Sequence, residues 1–214
     1  PLKLNNIYNT SSKRRERVEE LMELTGLSTR LYNSYPHELD GGRRQRVVVA
    51  RALSVNPKFI VCDEPVSALD VSIQAQILNL LMKLQKKFGL TYIFISHDLS
   101  VVKHISDTVG VMYLGQIVEK APKSYIFKEP LHPYTIALLS AIPVPNPRAQ
   151  LNRIILKGDI ASPINPKPSC RFSVRCPFAI DECHNITPEL KEIKPEHFVA
   201  CHRADEILHE KLKY

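Results

Sequence analysis

No apolar run in these 214 residues approaches the length of a bilayer span, and the first residues carry neither a charged head nor a small-residue cleavage site. Both absences argue against a spanning or secreted chain. The expectation is a soluble, cytosolic protein that is free to dock on a membrane protein. No internal repeat is visible. Only seven glycines are present, and none belongs to a G-x-x-x-x-G-K-[ST] loop, so the chain has no phosphate cradle of that type. No base-reading motif accompanies the net charge of +7, which favours a solvated basic face over a nucleic-acid partner.

Hydrophobic residues make up 44%, enough for a packed core. Basic charge concentrates in residues 1–58, with 11 Lys and Arg against 6 Asp and Glu, around Lys13–Arg17 and at Arg43, Arg44, Arg46 and Arg51. Cysteine is uneven too. Cys62 stands inside an apolar run and reads as a small core residue. Cys170, Cys176, Cys183 and Cys201 fall within 32 residues. A fifth, odd cysteine and no secretory start argue against an extracellular disulfide framework.

Apolar positions at Val18, Leu21, Met22 and Thr25 predict a helix over 12–25, capped by Ser11 or Ser12 and ended by Gly26. A second helix is expected just after Gly41 and Gly42, running through RRQRVVVARAL. FIVCD (59–63) reads as a strand. Asp70 caps a long helix with the stripe Ile77, Leu81, Leu84 and Phe88, closed by Gly89. LTYIFIS (90–96) reads as a buried strand, 99–105 as a short helix, and DTVGVMYLGQIVEKA as two strands around a turn near Gly115. Alternating strands and helices predict an α/β fold. Six prolines between 143 and 168 mark a linker and then a loop-rich tail.

The chemistry-bearing residues follow the strands. FIVCDEP delivers Asp63 and Glu64 to the carboxyl edge of a sheet, where α/β folds bind ligands. One carboxylate there suits Mg²⁺ and the next suits polarising a water for attack on phosphorus. SALD (67–70) and FISHD follow, and His97 is expected to emerge at the same edge as Glu64, one strand–helix–strand unit later.

Taken in order, DGGRRQR, FIVCDEP, SALD and FISHD resemble the nucleotide-binding subunits of ABC transporters. On that resemblance residues 40–44 match the signature motif, usually Ser-Gly-Gly-Gln. Asp63 matches the magnesium ligand, Glu64 the catalytic base, Ser67–Asp70 the D-loop and His97 the switch histidine. YPHEL, MYLGQIVE, PLHPYTIALLSAIP and the tail SPINPKPSCRF…RCPFA…C look like the ATP-binding subunits of oligopeptide and dipeptide importers. PLHPYTIALLSAIP and the four-cysteine tail argue against a repair or translation ABC protein.

The resemblance implies a P-loop NTPase-class fold with a largely parallel sheet. It divides the chain into the remainder of a helical subdomain (1–36), the C-terminal part of the ATPase core (37–142) and a linker with a four-cysteine extension (143–214). It implies ATP hydrolysis coupled to a permease, a second ATPase subunit as partner, transmembrane permease subunits, a substrate-binding protein acting indirectly, and a place on the cytoplasmic face of the membrane. On the resemblance the helix over 12–25 would approach the permease; on its own residues it reads equally as an ordinary amphipathic surface helix. Absence of the P-loop makes the chain look like the C-terminal part of a longer subunit.

Asp40 stands where the family has serine. Aspartate caps a helix as well as serine, but an ionised carboxylate has no proton for a γ-phosphate. At about 4 Å and an effective dielectric near 20, each like charge costs roughly 4 kcal/mol. The helix N-terminus offsets only about half a charge, and Arg43 restores some attraction. With Gly41, Gly42 and Asp70, these residues would face the partner's nucleotide across a weakened or silent site.

The four tail cysteines, spaced x5, x6 and x17, lack the close pairs of structural zinc sites. Fe–S clusters accept wider spacing, and the family resemblance points to [4Fe–4S] rather than zinc. His184 and His202 flank cysteines and are further candidate ligands. The alternative to a working ATPase subunit is a catalytically silent regulatory or Fe–S-binding subunit of the same type of complex.

Overall fold

The computed structural model describes residues 1–142, 153–159, 162 and 164–212. The start of the expected proline-rich linker, residues 143–152, lies outside the described residues. The chain forms two compact units, Pro1–His97 and Asp98–Tyr214.

In the first unit, α1 (Ser11–Leu24) begins at Thr10, whose side chain accepts from Lys13 N, one residue before the expected serine cap. Gly26 takes φ +70° just beyond its end, as a C′ residue does. Helix α2 (Gly41–Leu53) starts at the first glycine rather than after the second, because Asp40 is itself the cap. The Arg46 guanidinium ties these helices together: Nη1 donates to the Thr25 carbonyl at 2.7 Å and Nη2 to Gln76 at 3.2 Å. That contact assigns Arg46 a structural task. Arg15 and Arg17 pair with Glu19 and Glu20 on their own helix. Apolar side chains of α1 and α2 border a cavity of about 420 Å³.

Strand β1 (Phe59–Asp63) leads through a turn to α3 (Val71–Phe88) and then β2 (Thr91–Ile95). The two strands pair in parallel, Phe59 opposite Thr91 and Asp63 opposite Ile95. Helix α3 is capped at both expected ends, by Asp70 and by Gly89 at φ +63°. Its stripe is buried at Ile77, Leu81 and Leu84 but exposed at Phe88. The expectation that 90–96 forms a buried strand is corrected. Phe59, Val61, Ile93 and Ile95 are 49, 57, 50 and 47% exposed, because one face of this two-stranded sheet has nothing packed on it among the described residues.

The second unit opens with α4 (Leu99–Ile105), followed by β3 (Thr108–Tyr113) and β4 (Gln116–Pro122). The turn residues Leu114 and Gly115 have φ of +44° and +77°. Two successive positive φ values define the tight hairpin turn that matches strand twist, so this pair is antiparallel. Helices α5 (Lys123–Lys128) and α6 (Pro133–Ser140) follow. The described part of the tail contributes α7 (Asp181–Asn185), β5 (Lys191–Lys194), β6 (His197–Val199) and α8 (Ala204–Leu208).

Strand order β3-β4-β6-β5 makes a four-stranded antiparallel sheet, so the expectation of a largely parallel sheet is corrected. Short connections at Leu114–Gly115 and between β5 and β6 permit only antiparallel neighbours. The expectation of a loop-rich tail is corrected as well: β6 pairs with β4, Glu119 opposite Val199. Fully buried Glu119 accepts from the Leu131 and His132 backbone amides and pairs with His197 Nε2 at 2.7 Å. Tyr125 stacks on the His197 ring. Phe172, 1% exposed, anchors an apolar cluster with Val109, Val111, Tyr113 and Ile126. No helix among the described residues is long and apolar enough to cross a membrane.

Candidate functional sites

Strand β1 ends at Asp63, and Glu64 then takes φ +43°. A left-handed conformation in a side-chain-bearing residue costs on the order of 1–3 kcal/mol and persists where surroundings hold it. Here the Glu64 amide donates to the Ile95 carbonyl at 3.0 Å, and its carbonyl accepts from the Ser67 amide and hydroxyl. Ile95 closes β2, and His97 follows two residues later. The Glu64 carboxylate and His97 Nδ1 meet at 2.9 Å, both well exposed. The expected pairing of Glu64 with His97 at the carboxyl ends of two parallel strands is thus present in the structure. Asp63 stands at the same strand end with an exposed carboxylate, a hard oxygen donor of the kind Mg²⁺ prefers.

A second arrangement joins two helix N-termini. Asp40 Oδ1 accepts the Arg43 amide at 2.7 Å, and its other oxygen lies 3.3 Å from the Arg43 guanidinium. Asp70 caps α3 by accepting the Ile73 amide at 3.0 Å. Gly41 and Gly42 let these ends approach. A Cβ on Gly42 would lie 2.7 Å from Ile73 Cγ2, and one on Gly41 would lie 3.1 Å from Leu69 Cδ2. Gly41 and Gly42 therefore pack directly against Leu69 and Ile73, and close packing accounts for the glycine pair.

Cys170, Cys176, Cys183 and Cys201 line one small pocket, whose wall also includes His132, Phe172, Ser173, His202 and Arg203. Local structure converges them: the Cys170 amide donates to the Cys183 carbonyl, and the Arg203 amide to Cys201 Sγ at 3.4 Å. All four thiols are free. Burial pushes Cys201 up to about 12 and Cys176 up to about 11, and raises Cys170. Among the described residues, no group of three or more His, Cys, Asp and Glu is placed to hold a metal ion. That geometry does not suit mononuclear zinc. An all-thiol donor set converging on one pocket fits a polynuclear iron–sulfur centre in its chemistry. Of the flanking histidines, His202 lies at the pocket, bonding the Ile186 carbonyl through Nε2 and facing Glu182 at 3.3 Å through Nδ1.

His132, at the start of α6, went unremarked among the candidate residues. Its Nδ1 accepts the Tyr134 amide at 3.1 Å, and burial pushes it down to about 4 against the opposing pull of Glu119. A polar residue directly before a proline-led helix is the signal for such a cap.

Residues 3–67 match the ABC transporter family, and residues 118–183 match the family described as oligopeptide/dipeptide transporter, C-terminal region. Among solved structures, cbiO1 from Clostridium perfringens, part of the ABC transporter complex cbiONQ, aligns with a TM-score of 0.54 at 29% identity, covering 64% of this chain and 52% of that one. Over the matched residues the chain resembles the ABC transporter ATP-binding cassettes. It also resembles the oligopeptide and dipeptide transport ATP-binding proteins. The oligopeptide transport ATP-binding protein AppF of Bacillus subtilis (strain 168) is 55% identical over 204 residues, covering 94% of this chain and 62% of the relative. The dipeptide transport ATP-binding protein DppF of Escherichia coli (strain K12) is 50% identical over 203 residues, covering 94% and 60%. The chain thus spans about three fifths of the length of these relatives.

Proposed function

We propose that this chain is the C-terminal portion of an ATP-hydrolysing subunit that energises import of oligopeptides or dipeptides. The observation that carries this reading is the Glu64–His97 pair at 2.9 Å beside the end of β1. Glu64 would take a proton from the attacking water, and His97 would hold that carboxylate in position while facing the γ-phosphate. Asp63 would hold Mg²⁺, whose charge offsets that of the phosphates. Asp40, Gly41, Gly42, Arg43 and Asp70 would face the nucleotide of a second ATPase subunit. The Arg43 guanidinium, lying beside Asp40, reduces the repulsion expected from that carboxylate. Permease subunits on the cytoplasmic face would be the mechanical partner, reached through α1, with a substrate-binding protein acting upstream.

The 214 residues contain no G-x-x-x-x-G-K-[ST] loop, so in this reading the phosphate cradle comes from residues outside them. Calorimetric titration of Mg-ATP tests the division. The chain alone is expected to give no heat, and a complex with a full-length partner subunit is expected to bind. Micromolar binding by the chain alone would overturn the division. In the complex, Glu64→Gln is expected to lower turnover by about 10²–10⁴-fold. Vanadate trapping equal in the native pair and in Asp40→Ser would show that Asp40 weakens nothing.

A second element of the reading is a [4Fe–4S] cluster on Cys170, Cys176, Cys183 and Cys201, supported by the four free thiols around one pocket. Such a centre supplies one-electron redox capacity or structural cross-linking. It favours the alternative of a regulatory, Fe–S-binding subunit if ATP turnover in the complex proves insensitive to Glu64→Gln. Anaerobic reconstitution followed by iron and sulfide analysis tests it.

A further inference from the structure

The His132 ring has two nitrogens with different fates. Nδ1 accepts the Tyr134 backbone amide at 3.1 Å. A nitrogen that accepts carries no proton, so the imidazole hydrogen sits on Nε2. A backbone amide thus fixes the tautomer. Nε2 is buried and has no hydrogen-bond partner, in a residue only 1% exposed.

Buried donors are nearly always satisfied, so an orphan marks a place where an acceptor belongs. His132 lines the pocket that also collects the four thiols. Its other neighbours do not answer the need. Phe172 presents a ring at 5.7 Å, and Glu119 is engaged with the His132 backbone amide, with Leu131 and with His197.

We propose that His132 donates a hydrogen bond through Nε2 to a sulfur of the iron–sulfur centre held by Cys170, Cys176, Cys183 and Cys201. This rests on the cluster reading above and adds a tuning residue to it. Hydrogen bonds to cluster or ligand sulfur stabilise the more electron-rich reduced state and raise the potential. His132 acts on the centre without ligating it.

Two substitutions separate the two nitrogens. His132→Asn keeps an acceptor where Nδ1 sits, so the cap on Tyr134 survives, but it loses the distal donor. His132→Gln keeps a distal donor and loses the cap. The chain and both variants are reconstituted anaerobically with ferrous iron and sulfide, and the potential of the bound centre is measured beside its iron and sulfide content. His132→Asn is expected to shift the one-electron equilibrium about tenfold toward the oxidised form, or about 59 mV, at unchanged cluster content. His132→Gln is expected to stay nearer the parent.

Equal potentials in the parent and His132→Asn would overturn the inference and leave the cluster reading standing. A parent chain that retains no iron and sulfide would overturn both. If His132→Asn fails to fold, pulsed EPR on the reduced parent with isotopically labelled histidine decides. Coupling to a histidine nitrogen and to an exchangeable proton that is retained in His202→Ala supports the hydrogen bond, and its absence overturns it.

Discussion

The strands of the two units carry similar apolar side chains and meet opposite fates. In β1 and β2, Phe59, Val61, Ile93 and Ile95 project from one face and stay about half exposed; in β3, Val109, Val111 and Tyr113 are each 6% exposed. Side-chain chemistry does not separate the two sets. What separates them is whether a second layer lies over the face: β3 sits under α5, α6 and Phe172, while nothing among the described residues covers the outer face of β1 and β2. Apolar sequence states a demand for burial, and topology decides whether it is met.

The contrast is open to direct attack. The largest effect is expected from Glu119→Ala, which strips the acceptor from two backbone amides and leaves His197 buried without its partner. It should cost about 3–5 kcal/mol by denaturant unfolding. Val111→Thr, a near-isosteric change that buries a hydroxyl in the closed unit, should cost about 2 kcal/mol. Gly42→Ala drives a Cβ into Ile73 and should cost at least about 1 kcal/mol. In an Ile73→Ala background that loss should shrink, and the double-mutant cycle reads the coupling. Val61→Thr repeats the Val111 change on the open face and should fall within about 0.5 kcal/mol. Equal losses at Val61 and Val111 would break the comparison, because they would mean that the face of β1 is covered.

Much of the first unit was legible because its signals are local. Asp70 and Gly89 bracket α3 through their own backbone chemistry, and the strand ends that carry Glu64 and His97 are marked by the residues around them. The turn at Gly115 was legible too, although the antiparallel sheet it starts was not. That sheet depends on β6, whose pairing with β4 joins distant residues and leaves no periodic trace in three-residue HFV. Glu119 and His197 belong to no motif in the sequence, and only their mutual contact makes burial tolerable. In sequence Gly41 and Gly42 point to a phosphate-facing role, whereas their packing on Leu69 and Ile73 involves neighbours beyond their own helix. His132 was hidden for a similar reason, since a cap is local but an orphaned ring nitrogen is a property of the surrounding packing.

The link between Glu119 and His197 spans 78 residues. A nascent chain therefore exposes the β3–β4 hairpin, with a carboxylate awaiting its partner, throughout synthesis of the proline-rich segment. Loop closure over that length adds little to the final free energy but delays the event. The central sheet of this unit is completed only once β6 has left the ribosome. Until then β4 presents an open edge to other chains, and crowded expression is where its assembly would go wrong first.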